Sequence, residues 1–243
     1  MFETIDDLKE KLDQHRPLSP SIVKNLQEDL IVRWTYHSNA IEGNTLTLLE
    51  TKVVLEGITV GGKALTEHFE AINHRNAIFY VEDILRKEEP FSEWQIINIH
   101  QLILKNIDDD NAGRYRQQNV LISGATTMPS DYTLLNDKMT HLVDWYYSAA
   151  HTFHPIERAA KLHADFVGIH PCLDGNGRTS RLLMNLELMK AGYPPCVITV
   201  ENRLAYYEAL DQLMVYGKTK AFIELVSNAV IEGFKPYQVI LGL

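Results

Sequence analysis

Cysteine is nearly absent from this chain. Two residues among 243, Cys172 and Cys196, cannot build a disulfide framework; this excludes the small stapled folds, and the expectation is a cytoplasmic protein. Also missing is any run approaching the roughly 20 apolar residues that a membrane helix needs. The N-terminus, MFETIDDLKEKLDQ, is acidic where a signal peptide would be basic and then apolar, so neither a membrane nor an exported protein is expected. Positive charge is in deficit too. With 23 Lys and Arg against 32 Asp and Glu, the net charge of −9 repels a phosphate backbone and argues against a nucleic-acid partner. There is no internal repeat, no low-complexity tract and no Pro/Ser-rich linker, and 45% apolar residues are ordinary for a globular chain. A core of this size needs no metal for stability, so a metal site would serve chemistry.

Apolar spacing is helical almost throughout. Leu26, Leu30, Trp34, His37 and Ile41 trace one stripe of a helix that Gly43 and Asn44 end. Thr47 with Glu50 forms a capping-box pattern that predicts a helix to Gly57. Further helices are predicted over about 66–87, from Ser92 to about Asn106, and over 134–149, 155–169, 177–190, 203–216 and 218–232. Between Gly113 and Asp131 the pattern changes: Val120 and Ile122 alternate with other residues while Gly124 and Pro129 interrupt any helix, which predicts a loop or short β-hairpin. The fold class is therefore all-α, with one domain over 1–243. Trp94, Trp145 and the Leu182 to Leu188 helix read as core packing.

One loop carries chemistry: His170-Pro171-Cys172-Leu173-Asp174-Gly175-Asn176-Gly177-Arg178-Thr179-Ser180-Arg181. Gly175 and Gly177 let the backbone approach a ligand closely, and the N–H groups opening the next helix favour an anion. Arg178 and Arg181, three apart, share a helix face where their forks can grip phosphoryl groups. Asp174 suits a hard cation bridging substrate phosphates. Taken singly these residues have blander readings: a His before Pro is most often a helix-end cap, and two arginines most often a solvated face. His151, His154, His163 and His170 could suggest a metal cluster, but no further ligand falls at zinc-like spacing. It is the run as a whole that reads as a nucleoside triphosphate site.

That run resembles the signature of the Fic family, His-Pro-Phe-x-Asp/Glu-Gly-Asn-Gly-Arg-x-x-Arg, with Cys172 standing where Phe is usual. The resemblance extends over roughly residues 30 to 215. Gly113-Arg114-Tyr115-Arg116 leading to Val120, Leu121 and Ile122 is similar to the segment entering the family's flap, a hairpin that holds a target protein by strand addition. Asn202-Arg203 with Tyr206-Tyr207 is similar to the part that packs around adenine. Ser38-Asn39-Ala40-Ile41-Glu42-Gly43-Asn44 resembles the inhibitory Ser/Thr-x-x-x-Glu-Gly/Asn element, placed N-terminally as in class II members.

The resemblance implies a Fic fold, a helical bundle with a short β-hairpin flap. About 1–60 would be the inhibitory region, about 90–215 the catalytic core and about 216–243 the C-terminal helix. It further implies transfer of AMP from ATP to a Ser, Thr or Tyr hydroxyl of a target protein or of the chain itself. His170 would be the general base and Asp174 the Mg²⁺ ligand. Gly175, Asn176, Gly177, Arg178, Arg181 and Tyr207 would hold the nucleotide, and Val120, Leu121 and Ile122 the target. Glu42, supported by Ser38, would inhibit by pairing with Arg181, or would orient water for AMP removal. Homodimers occur in this class. Two alternatives stay open: the same fold moving another group, as a kinase does with the γ-phosphate, and a docking module without catalysis. Gly175-Asn176-Gly177 differs from the Ala-Asn-Lys of the kinase branch.

Overall fold

A computed structural model describes residues 2–242. Among the described residues ten α-helices follow one another: α1 (Glu3–Asp13), α2 (Pro20–Ile41), α3 (Leu48–Leu55), α4 (Leu65–Arg86), α5 (Glu93–Leu104), α6 (Leu135–Ser148), α7 (Pro155–Ile169), α8 (Asn176–Lys190), α9 (Arg203–Tyr216) and α10 (Lys220–Leu241). Local chemistry accounts for many of the ends. Ser19 caps α2, with Pro20 as its first residue, and Gly43, at φ 101°, breaks the chain away after it. His154 accepts from the Ile156 N–H and Glu157 reaches back, so this histidine serves as the cap of α7.

Helix α3 carries both bonds of its capping box, Glu50 N–H to Thr47 at 3.2 Å and Thr47 N–H to Glu50 at 2.7 Å. Thr47→Ala is expected to cost about 1 kcal/mol, a drop of a few degrees in melting temperature. A thermal melt against the parent protein checks this.

Helices α7 and α8 form the central pair and contribute to two apolar clusters. One joins Ile5 and Leu12 of α1 to Ile156, Met184, Leu188, Tyr206, Phe222 and Phe234. The other joins Trp34, Ile78, Val81, Ile99 and Ile103 to Met139, Leu162, Phe166, Leu182 and Leu186. Because α8 feeds both, it is buried nearly all round, Arg178 and Arg181 included. Each guanidinium there must find partners inside the protein.

Three expectations need correction. Among the described residues no strand forms, so the hairpin is not seen: residues 117–131 run as an irregular segment. Pro129 lacks an N–H for a ladder, and side chains tie the two limbs instead, Asn119 bonding Asp131 at 2.9 Å and receiving the Tyr132 N–H at 2.9 Å. The last helix does not stop at Glu232 but continues to Leu241 through Pro236. Tertiary packing overrides the breakers: Phe234 is fully buried, and a Cβ at Gly233 would fall 2.8 Å from the Pro195 carbonyl oxygen, so only glycine lets α10 pass. Trp94 is not core, being 69% exposed at the start of α5, whereas Trp145 packs on the second cluster.

Candidate active site

Where α7 ends, His170 takes the left-handed conformation (φ 51°, ψ 59°) and the chain turns into the loop that opens α8. Asn176 holds this loop shut. Its side chain is buried and bonds both main-chain groups of Cys172, accepting from N–H at 3.0 Å and donating to C=O at 2.8 Å. Expected as a nucleotide contact, Asn176 is thus placed with its side-chain amide turned inward. Cys172 is buried, and burial pushes its thiol up to about 12, so it is an inert packing group.

A second brace comes from α5 and was not anticipated. The His100 Nδ1 accepts the Gly113 N–H at 2.9 Å, which leaves the proton on Nε2 to donate to the Asp174 carbonyl at 2.8 Å. Burial lowers the His100 pKa and so favours this neutral tautomer. Gly175 (φ 77°) lies under the imidazole; a Cβ there would press on His100 and Ile103.

The loop delivers two buried arginines. Arg178 bonds Glu70 of α4 at 3.1 Å and Asp174 at 3.0 Å. Arg181 is gripped by the end of α2: its Nε meets Ser38 Oγ at 3.1 Å, and its Nη2 meets the Ser38 carbonyl at 2.8 Å and Glu42 Oε1 at 2.7 Å. Burial acts to lower the Arg181 pKa, but Glu42 and Tyr206 outweigh it and hold the group above its ordinary value. The Glu42 carboxylate also lies directly over Gly177, since a Cβ built there would overlap Oε1. A carboxylate therefore sits at the first turn of α8, the position that a helix N-terminus offers to an anion. Ser38, Glu42, Gly177 and Arg181 are brought together by the fold.

Asp174 is two-thirds exposed at the loop tip, where one carboxylate oxygen accepts from its own Gly175 N–H at 2.6 Å and the other pairs with Arg178. His170 is lowered below its usual 6.5, first by burial, with the Arg116 charge adding to that and the Val167 carbonyl, Glu42 and Asp174 opposing it. Tyr206, not only Tyr207, belongs to the site: its hydroxyl lies 3.4 Å from Arg181 and 2.9 Å from the buried His163. Tyr207 stands at the edge, donating to the Ile41 carbonyl at 3.1 Å with the Arg203 guanidinium over its ring. Val120 and Ile122 are half-buried and Leu121 is 79% exposed. Sequence reasoning missed Glu70 and His100, which carry no motif of their own, and left Arg116 without a role, although it lies in the quoted Gly113 to Arg116 segment. A groove of about 610 Å³ between α2, α9 and α10, floored by Leu30, Pro195 and Leu225, contains none of these residues.

An all-helical frame that presents an anion site at a helix start, with a histidine at the preceding turn, is the class of scaffold defined here. Residues 90–188 match the family model described as Fic/DOC family. The protein adenylyltransferase Fic of Nematostella vectensis is 39% identical over 232 residues, covering 94% of this chain and 53% of the relative. Among solved structures, a Fic-1 fragment from C. elegans superposes with TM-score 0.89 at 32% identity, over 99% of this chain and 72% of that one. A Fic domain containing signaling protein from Bacteroides thetaiotaomicron superposes with TM-score 0.91 at 30% identity, over 98% and 97%. The chain belongs to the Fic/DOC family. It spans about half the length of the curated relatives it matches.

Proposed function

We propose that this protein transfers AMP from ATP to a hydroxyl group of a protein, and that Glu42 restrains the reaction. What carries the reading is the loop from His170 to Arg181, folded so that a carboxylate from the same chain occupies the anion position at Gly177 and Arg181. With Glu42 withdrawn, that position receives the γ-phosphate of ATP, and the N–H groups of the first turn of α8 and Arg178 face the other phosphoryl oxygens. The hydroxyl oxygen attacks the α-phosphorus, its proton passes to His170, the α–β anhydride bond breaks and pyrophosphate leaves. A target is offered to His170 along residues 120–122, whose main chain is not committed to a ladder.

Asp174 is the residue that would hold Mg²⁺. The donor chemistry fits, because Mg²⁺ at phosphates commonly uses one or two carboxylates with substrate oxygens and water rather than a protein cage. When bound, the ion would neutralise charge growing on the leaving pyrophosphate.

The test is incubation of the Glu42→Gly protein with Mg²⁺, a cell lysate and ATP labelled at either the α or the γ phosphate. Protein-bound α label supports AMP transfer; γ label replaces it with phosphorylation, and no label replaces it with a docking role. The imidazole must be neutral to accept a proton, so activity falls as pH drops through its pKa. As burial lowers that pKa in the free protein, the acid limb of kcat/KM is expected below 6.5, read from a pH–rate profile.

A further inference from the structure

Arg116 makes an arrangement that the reaction scheme above leaves unused. It is 3% exposed, just before the irregular 117–131 segment. Its Nε donates to the His170 carbonyl at 2.8 Å, its Nη1 to the Gln118 carbonyl at 2.8 Å and its Nη2 to the Ser130 carbonyl. Its own main-chain N–H reaches the Pro171 carbonyl at 2.9 Å. All four acceptors are uncharged carbonyl oxygens. A buried guanidinium that spends its fork on carbonyls is costly to keep for stability alone, since an apolar residue could fill the volume. What the fork does here is geometric: one donor takes the carbonyl of a histidine in the left-handed region, and two others take the opposite limbs of the segment beside it.

We propose that Arg116 is a positioning residue that locks the main chain of His170 to both ends of the 118–130 segment, so that target docking and imidazole placement are set by one side chain. This rests on the AMP-transfer reading. A planar fork is needed to reach three carbonyls at once, and lysine, a point charge on a flexible stem, can satisfy them only in part. The charge has a second consequence. Arg116, Glu42 and Asp174 are the charged groups that bear on the His170 ring, and Arg116 is the one that disfavours its protonation.

The experiment compares Arg116→Gln and Arg116→Lys with the Glu42→Gly parent, all as full-length protein carrying Glu42→Gly. In Arg116→Gln, kcat for AMP transfer should fall about ten- to hundredfold. The KM for ATP should stay within about threefold, because the cradle on α8 is braced separately by His100 and Asn176. The acid limb of kcat should move to higher pH. Arg116→Lys should lose much of the same kcat yet keep the acid limb of the parent, since the charge remains. Unchanged kcat in a folded Arg116→Gln protein overturns the proposal, as does loss of kcat and ATP affinity together with an unmoved limb in both variants. NMR titration of His170 gives a reading without turnover: its pKa should rise in Arg116→Gln, and an unmoved pKa in a folded variant contradicts the proposal. If the parent itself transfers no AMP, the functional reading fails, and the titration still decides whether Arg116 acts on His170.

Discussion

His170→Ala, placed in the Glu42→Gly background, is expected to lower AMP transfer by about 10² to 10⁴-fold, the usual worth of a positioned general base. Affinity for ATP should change little, because Asn176 and His100 brace the loop, Glu70 holds Arg178 and Ser38 holds Arg181, none of them through the imidazole. The removed group is a histidine in the left-handed region, which alanine adopts less readily, so a thermal melt of the variant accompanies the assay. Transfer measured with α-labelled ATP, beside an ATP-binding measurement, separates chemistry from affinity. A fall in kcat with an intact binding curve is the expected pair of results; equal loss of both would mean that His170 serves the loop rather than the proton.

Glu42→Gly alone is expected to raise AMP transfer. The gain is bounded by population: if the plugged form holds 99% of molecules, release yields at most about a hundredfold. The cost in stability is smaller than the burial of Arg181 suggests. Its guanidinium keeps the Ser38 carbonyl and hydroxyl and lies 3.4 Å from the Tyr206 hydroxyl, so its N–H donors stay bonded although the charge loses its counter-ion. Loss of one charge-assisted hydrogen bond, partly open to solvent on the Glu42 side, costs about 1 to 3 kcal/mol. Initial rates of α-label incorporation in wild type and variant, with a thermal melt to show that both fold, give the answer. An unchanged or lower rate in the folded variant contradicts the restraint.

Much of the helical order was legible because periodicity and punctuation agreed. Helix α7 begins at Pro155 and stops before His170, and α9 spans Arg203–Tyr216, as the residues themselves indicate. The misses share a physical cause. Gly233 and Pro236 are breakers by local chemistry, yet α10 continues because Phe234 is buried and the Gly233 backbone lies against Pro195. Trp94 has the composition of a core residue, but its place at the first turn of α5 turns it to solvent. In the site, Glu42 meets Arg181 across 139 residues, a pairing that only the family resemblance implied. Glu70, His100 and Arg116 act across the fold on the loop's arginine and carbonyl groups, and no spacing in the chain announces such contacts. Asn176 stands within the motif, but only the fold shows its amide bonding Cys172.

The plug is tested most directly by nucleotide binding. Calorimetry of ATP and of ADP against the His170→Ala protein, with and without Glu42→Gly, asks whether Glu42 competes with the γ-phosphate itself. Removing Glu42 should tighten ATP by about tenfold or more and leave ADP within about twofold, because only ATP carries the group that takes the place of the carboxylate on Arg181. Equal shifts for both nucleotides, or none for either, would show that Glu42 does not stand in the seat of the γ-phosphate.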